Sequence, residues 1–168
     1  MNYNLVKENN EILRKVAEPW DFSTDGDVND LTKNMMKTMM ENNGIGLAAP
    51  QIGLSKRIFV MGNSSKLYAC VNPQIISGVG EIKDIEGCLS FPHLWLRIKR
   101  FETINVTYQN VLGEEVITEF SGLIARVFQH ELEHLDGICF DTKVGKLSLE
   151  MAKNKRKKQK IKASSLLE

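Results

Sequence analysis

Between residues 57 and 120 the chain reads almost wholly as β-strand, and that stretch limits the fold more than any other feature. Apolar residues alternate with polar ones through Ile98, Ile104, Val106 and Tyr108, the period of two that sends successive side chains to opposite faces. The pattern predicts strands over 57–61, 66–76, 79–85, 94–111 and 114–120. Ser77-Gly78 separates the second from the third, and a turn at 110–113 returns the last strand as a partner.

Helical segments flank this block. Over 25–43, Leu31, Met35 and Met39 recur at helical spacing, with Met36 and Met40 alongside; Asp27 or Asn29 can cap the start, and Asn42-Asn43-Gly44 stops it. The methionines read as flexible core filling rather than a metal site. A second helix spans 123–135, opened by Ser121-Gly122 and closed by Asp136-Gly137. A third, about 148–162, carries a basic run. Residues 44–55, rich in Gly and Ala with Pro50, read as a loop whose backbone must come close to something. Strands grouped between helices, without βαβ alternation, argue for an α+β fold with mostly antiparallel sheets.

A chain of 168 residues fits one domain, and 42% hydrophobic with 26% charged residues describes a soluble protein that can bury a core. No apolar run is long enough to cross a bilayer, and the N-terminus has no signal-peptide core, so no membrane partner is expected. Cys70, Cys88 and Cys139 are an odd count without an export signal, which suggests reduced thiols in the cytoplasm. The net charge of +1 hides a split: residues 146–168 hold eight basic against two acidic residues, the rest fourteen against nineteen. An anionic partner is thus expected for the tail only.

The sharpest local signal is His130-Glu131-Leu132-Glu133-His134 on the second helix. Four residues advance a helix by roughly 400°, so the imidazoles stand nearly over one another, about 6 Å apart along the axis. Both can bind one metal ion, and Glu131 can reach a water on it. Chance would produce roughly 0.004 such matches in this composition. A catalytic ion needs a third ligand, which related motifs take from a downstream His, Glu or Asp; the extended His-xx-Gly-xx-His form is absent. Upstream, Cys88 stands out in Glu86-Gly87-Cys88-Leu89-Ser90, although a lone Cys also suits a small buried apolar position. Cys70 and Cys139 take that plainer reading.

Three stretches together resemble the signature motifs of the peptide deformylases, in the same order. They are Gly44-Ile45-Gly46-Leu47-Ala48-Ala49-Pro50-Gln51, Glu86-Gly87-Cys88-Leu89-Ser90, and Gln129-His130-Glu131-Leu132-Glu133-His134-Leu135-Asp136-Gly137. The likeness extends from about Asn4 to Lys160. It implies an enzyme that removes the formyl group from the N-terminal formylmethionine of nascent polypeptides. Carried over by position, Cys88, His130 and His134 would hold one divalent metal ion, with Fe2+ the family's usual ion and Zn2+, Ni2+ or Co2+ able to replace it. A metal-bound hydroxide would attack the formyl carbon, Glu131 would act as general base and then acid, and the Gln51 amide with the Leu89 backbone N–H would stabilise the oxyanion. Ile45, Leu123 and Val127 would line the methionine slot, and Gly46 would pair with the extended peptide backbone. The catalytic domain would be 1–147, with 148–168 a basic helix and tail of the same domain.

Two positions depart from the family pattern. Glu133 stands where Asp is usual, which alters a carboxylate next to the ligands by one methylene. His93 follows Phe91-Pro92 where Gly is frequent; it is expected at the rim, off the metal. Arg97 and Arg100 can pair with Glu86 or the substrate, although a solvated strand face is the plainer reading. The run Lys153, Lys155, Arg156, Lys157, Lys158, Lys160 and Lys162 resembles the family's basic C-terminal helix and suggests docking to the ribosome through phosphates, with no base stacking and no DNA partner. Two other functions fit parts of the pattern: an HExxH metallopeptidase, or a ribosome-binding module with an inactive site. Intact Glu131, Gln51 and ligand positions argue against the second.

Overall fold

The computed structural model describes residues 3–164, with side chains to residue 159. In chain order, its elements are helix α1 (Val28–Glu41), strands β1 (Gly46–Ala48), β2 (Ile58–Asn63), β3 (Lys66–Val79), β4 (Ile82–Cys88), β5 (Phe91–Arg100), β6 (Thr103–Gln109) and β7 (Glu115–Ser121), then helices α2 (Gly122–Leu135) and α3 (Lys146–Ser164). The strands form a five-stranded sheet ordered β1-β2-β3-β6-β7 and a two-stranded sheet β4-β5, all paired antiparallel. The fold is α+β with antiparallel sheets. Among the described residues, no helix is long and apolar enough to cross a membrane.

Strand β2 shows why the sheet holds. Ile58 and Val60 pack with Met35, Met39 and Leu47 on the α1 side, whereas Phe59 and Met61 pack with Ile104, Val106 and Phe128 on the α2 side. A strand covered on both faces reads as an unbroken apolar run, as Ile58-Phe59-Val60-Met61 does. Phe59 meets Phe128 edge to face, ring centroids 5.0 Å apart. The α1 methionines that face the sheet, Met35 and Met39, are fully buried, in keeping with core filling. A third core gathers Leu94, Leu96 and Ile98 of β5 with Leu13 and Phe140, and Leu149 and Ala152 of α3 pack against it.

Several sequence expectations need correction. The strand expected over 94–111 is two strands, β5 and β6, in different sheets. The break falls at Phe101, whose N–H donates to Gln129 Oε1 and whose C=O accepts from Gln129 Nε2, both at 2.9 Å. A helix side chain thus takes the backbone groups that a continuing ladder would use. Ser77-Gly78 does not end a strand: β3 runs on to Val79, and the break is at Gly80, where φ is +70°. Residues 44–55 contain β1 and a 3-10 turn, Ala49–Ile52, rather than only a loop. Helix α1 starts at Val28, with the Asp27 side chain accepting from the N–H groups of Asn29 and Asp30. Ser121 precedes α2 without a side-chain cap bond; instead, the Gly122 N–H donates to Glu102 O. The side chains of Lys160 and Lys162, and residues 165–168, lie outside the described residues.

Candidate active site

Helix α2 presents His130 and His134 one turn apart, their ring centroids separated by 5.1 Å. Cys88, at the end of β4, places Sγ 3.3 Å from His134 Nε2. One donor atom from each of Cys88, His130 and His134 lies within 4.8 Å of the others. Donors bound to one ion at about 2.0–2.3 Å must sit roughly this close, and two imidazoles with a thiolate suit a divalent transition metal. The residues fit such an ion. His93, with φ of +62°, stays outside the donor group on the rim.

A charged chain runs behind the histidines. His130 Nδ1 lies 3.1 Å from Glu86 Oε2, which orients the ring. Arg100 donates to both Glu86 oxygens at 2.9 Å and pairs with Glu133 Oε1 at 2.6 Å, and Lys143 reaches the same Glu133 oxygen at 2.7 Å. Arg100 is therefore no solvated residue: it is 4% exposed. Glu133 is linked to His130 through Arg100 and Glu86. Burial pushes the Glu86 carboxyl up, but hydrogen bonds from His130 and Arg100 outweigh it and hold its pKa at about 2. Burial opposes a charge on His130 too, yet its bonds to Cys88 and Glu86 raise its pKa well above the usual value. Burial, followed by the positive neighbours His130 and Arg100, pushes His134 well below it. Ion binding at this site would therefore release protons.

Glu131 points to the same place. It is 4% exposed, its Oε2 is buried with no hydrogen-bond partner among the described residues, and burial foremost raises its pKa to about 7. Gly46 of β1 faces it so closely that a Cβ there would overlap the Glu131 carboxylate. That explains the glycine. Gln51, buried in the adjoining 3-10 turn, is fixed by its acceptor side: Oε1 takes the Ala48 N–H at 2.8 Å. Its Nε2 is thereby aimed at Cys88 Sγ and Ser90 Oγ, each 3.4 Å away. Leu89 follows Cys88 in the turn that joins β4 to β5.

These groups open onto a cleft of about 540 Å³. Ile45, Gly46, Leu89, Leu123 and Val127 all line it, and Leu123 is half exposed to it. The residues expected to bind metal, catalyse or receive substrate, Cys88, His130, His134, Glu131, Gln51, Leu89, Ile45, Gly46, Leu123 and Val127, are therefore gathered at one place. The sequence reading passed over three others. Ser90 shares the Gln51 amide. Trp95 lies over Gly87, where a Cβ would come within 2.8 Å of its ring. Arg126 lines the cleft and is ion-paired with Asp84. Arg126 was findable, since it stands four residues before His130 on the same helix face.

Fold and site together have the layout of a metal-dependent hydrolase: three donors that could hold one ion, with a buried carboxylate beside them at the foot of an apolar cleft. The polypeptide deformylase family profile matches residues 2–150. A peptide deformylase from Carboxydothermus hydrogenoformans is 44% identical over 138 residues, covering 82% of this chain and 90% of that protein. One from Thermodesulfovibrio yellowstonii is 42% identical over 161 residues, covering 93% and 97%. The crystal structure of a Legionella pneumophila peptide deformylase superposes with a TM-score of 0.88 at 33% identity, covering 98% of each chain. That of the Thermotoga maritima peptide deformylase gives 0.82 at 38% identity, covering 86% of this chain and 99% of the other. The chain belongs to the polypeptide deformylase family.

Proposed function

We propose that the protein removes the formyl group from the N-terminal formylmethionine of nascent polypeptides. The observation that carries this reading is the convergence of Cys88, His130 and His134 beside the Glu131 carboxylate, whose Oε2 has no partner among the described residues, at the foot of an apolar cleft. Cys88, His130 and His134 hold one divalent ion, taken as Fe2+. When bound, the ion supplies Lewis acidity and makes water at the site more acidic. Glu131, its pKa near 7, takes a proton from the attacking water and delivers it to the leaving amine. The Gln51 amide, held by Ala48, and the Leu89 backbone N–H donate to the oxygen that gains charge on the formyl carbon; one such donor is worth roughly 3–4 kcal/mol of barrier. Ile45, Leu123 and Val127 receive the methionine side chain, and Gly46 lets the peptide backbone lie along β1.

The test is formate release from formyl-Met-Ala-Ser. Wild-type enzyme is expected to release it, and Glu131→Gln to lose at least about a hundredfold in rate. Cleavage of internal bonds in an unformylated peptide would instead make the protein a metallopeptidase. Anaerobic metal analysis of the purified enzyme reads the ion directly.

The basic helix α3 supports a second element of this reading, docking to the ribosome through phosphates. Lys153, Lys157 and Lys158 are all exposed. Changing the three to Gln is expected to weaken co-sedimentation with ribosomes and to flatten its salt dependence. Unchanged co-sedimentation would refute docking by this face. We place the enzyme in the cytoplasm, where its three free cysteines stay reduced.

A further inference from the structure

Beside the catalytic cleft lies a second groove of about 430 Å³, between β5 and α3. Ile85, His93 and Trp95 line both, so one ridge is their common wall and the groove continues from the cleft. Trp95 is 61% exposed and offers its ring as a flat floor on that ridge. The groove beyond the ridge is cationic. Arg97 and Lys155 line it and are exposed. Arg156 lines it too, but its charge is taken up by Glu8, at 2.8 and 3.1 Å. No carboxylate lines the groove among the described residues. Asp84, which feels the charge of Arg97, is already paired with Arg126.

Resting on the deformylase reading, we propose that this groove is an extension subsite for the substrate chain, favouring acidic side chains a few residues after the formylmethionine. An extended peptide advances about 3.3 Å per residue, so a chain anchored by its formyl group travels roughly 10–20 Å over its next three to six residues. A chain of that length can run out of the cleft and over the wall that Ile85, His93 and Trp95 form between the two cavities. The exposed indole gives the crossing backbone an apolar surface, and Arg97 with Lys155 attracts carboxylates on the far side. Continuity with the cleft favours a peptide over a nucleic acid, because the peptide must start in the cleft.

The experiment compares kcat/KM for formyl-Met-Ala-Ser extended by three Glu, three Lys or three Gln. Wild-type enzyme is expected to prefer the Glu peptide over the Lys peptide by about three- to tenfold at low salt, as suits two solvent-facing charges, with the preference fading at high salt. Arg97→Glu with Lys155→Glu should invert the order, whereas Lys33→Glu on α1, a charge reversal outside the groove, should leave it alone. A wild-type ratio near one overturns the subsite while formate release upholds the deformylase reading; no formate from any formylated peptide overturns that reading instead. If the double reversal leaves the peptide ratio untouched and weakens binding of a single-stranded oligonucleotide by fluorescence anisotropy, the groove is a nucleic-acid site and the proposal fails.

Discussion

Glu86 and Arg100 bond one another twice while almost wholly buried, at 8% and 4% exposure. Removing one partner of such a pair leaves the other charge stranded, at a cost of about 3–5 kcal/mol. Glu86 also carries a pH signature. Its folded pKa of about 2 lies below the ordinary 4.5, so its contribution is fully present above pH 4.5 and is lost as pH falls towards 2. Glu86→Gln is therefore expected to be less stable than wild type at neutral pH, yet to lack that part of the acid-induced loss. Circular dichroism melts across a pH series would show both effects, and parallel curves for the two proteins would refute the assignment. The alternation in β5 already contained this residue: Leu94, Leu96 and Ile98 point inward, and Arg100 has the same parity. Charge argued for solvent and the strand period argued for the core; the period won because Glu86 and Glu133 wait inside.

At the scale of elements, Gln129 divides what alternation presents as one strand. Nothing local marks the division, since neither Gly nor Pro stands at 101–102. The cause is a side chain on α2, 28 residues away, so no reading of the strand alone could find it. By contrast, the third motif placed the two histidines on one helix face correctly, because four-residue spacing is a local property of a helix. Gln129→Ala leaves the Phe101 N–H and C=O without their partner and is expected to destabilise the fold by about 2–4 kcal/mol, read as a lower urea midpoint. An unchanged midpoint in the alanine variant would mean that the junction is held by other contacts.

Across the whole molecule, the three donors come from two separate pieces of architecture. Cys88 belongs to the small β4-β5 sheet, and the histidines belong to α2, which packs on the large sheet. The sequence motifs revealed that these residues belong together, but not that they bridge two sheets, because sheet membership depends on pairings that residue types do not encode. A group bound across both pieces stabilises the folded chain by linkage. Stripping the ion with a chelator is expected to lower the Tm, and adding back a divalent ion to restore it. Cys88→Ser should reduce that metal-dependent difference, and a Tm indifferent to chelator in wild type would count against the bridge.

A chain deprived of its ion would be left with a loosened seam between its sheets, a natural point of entry for proteases. How long the molecule survives in a cell then depends on the supply of that ion as well as on its own sequence.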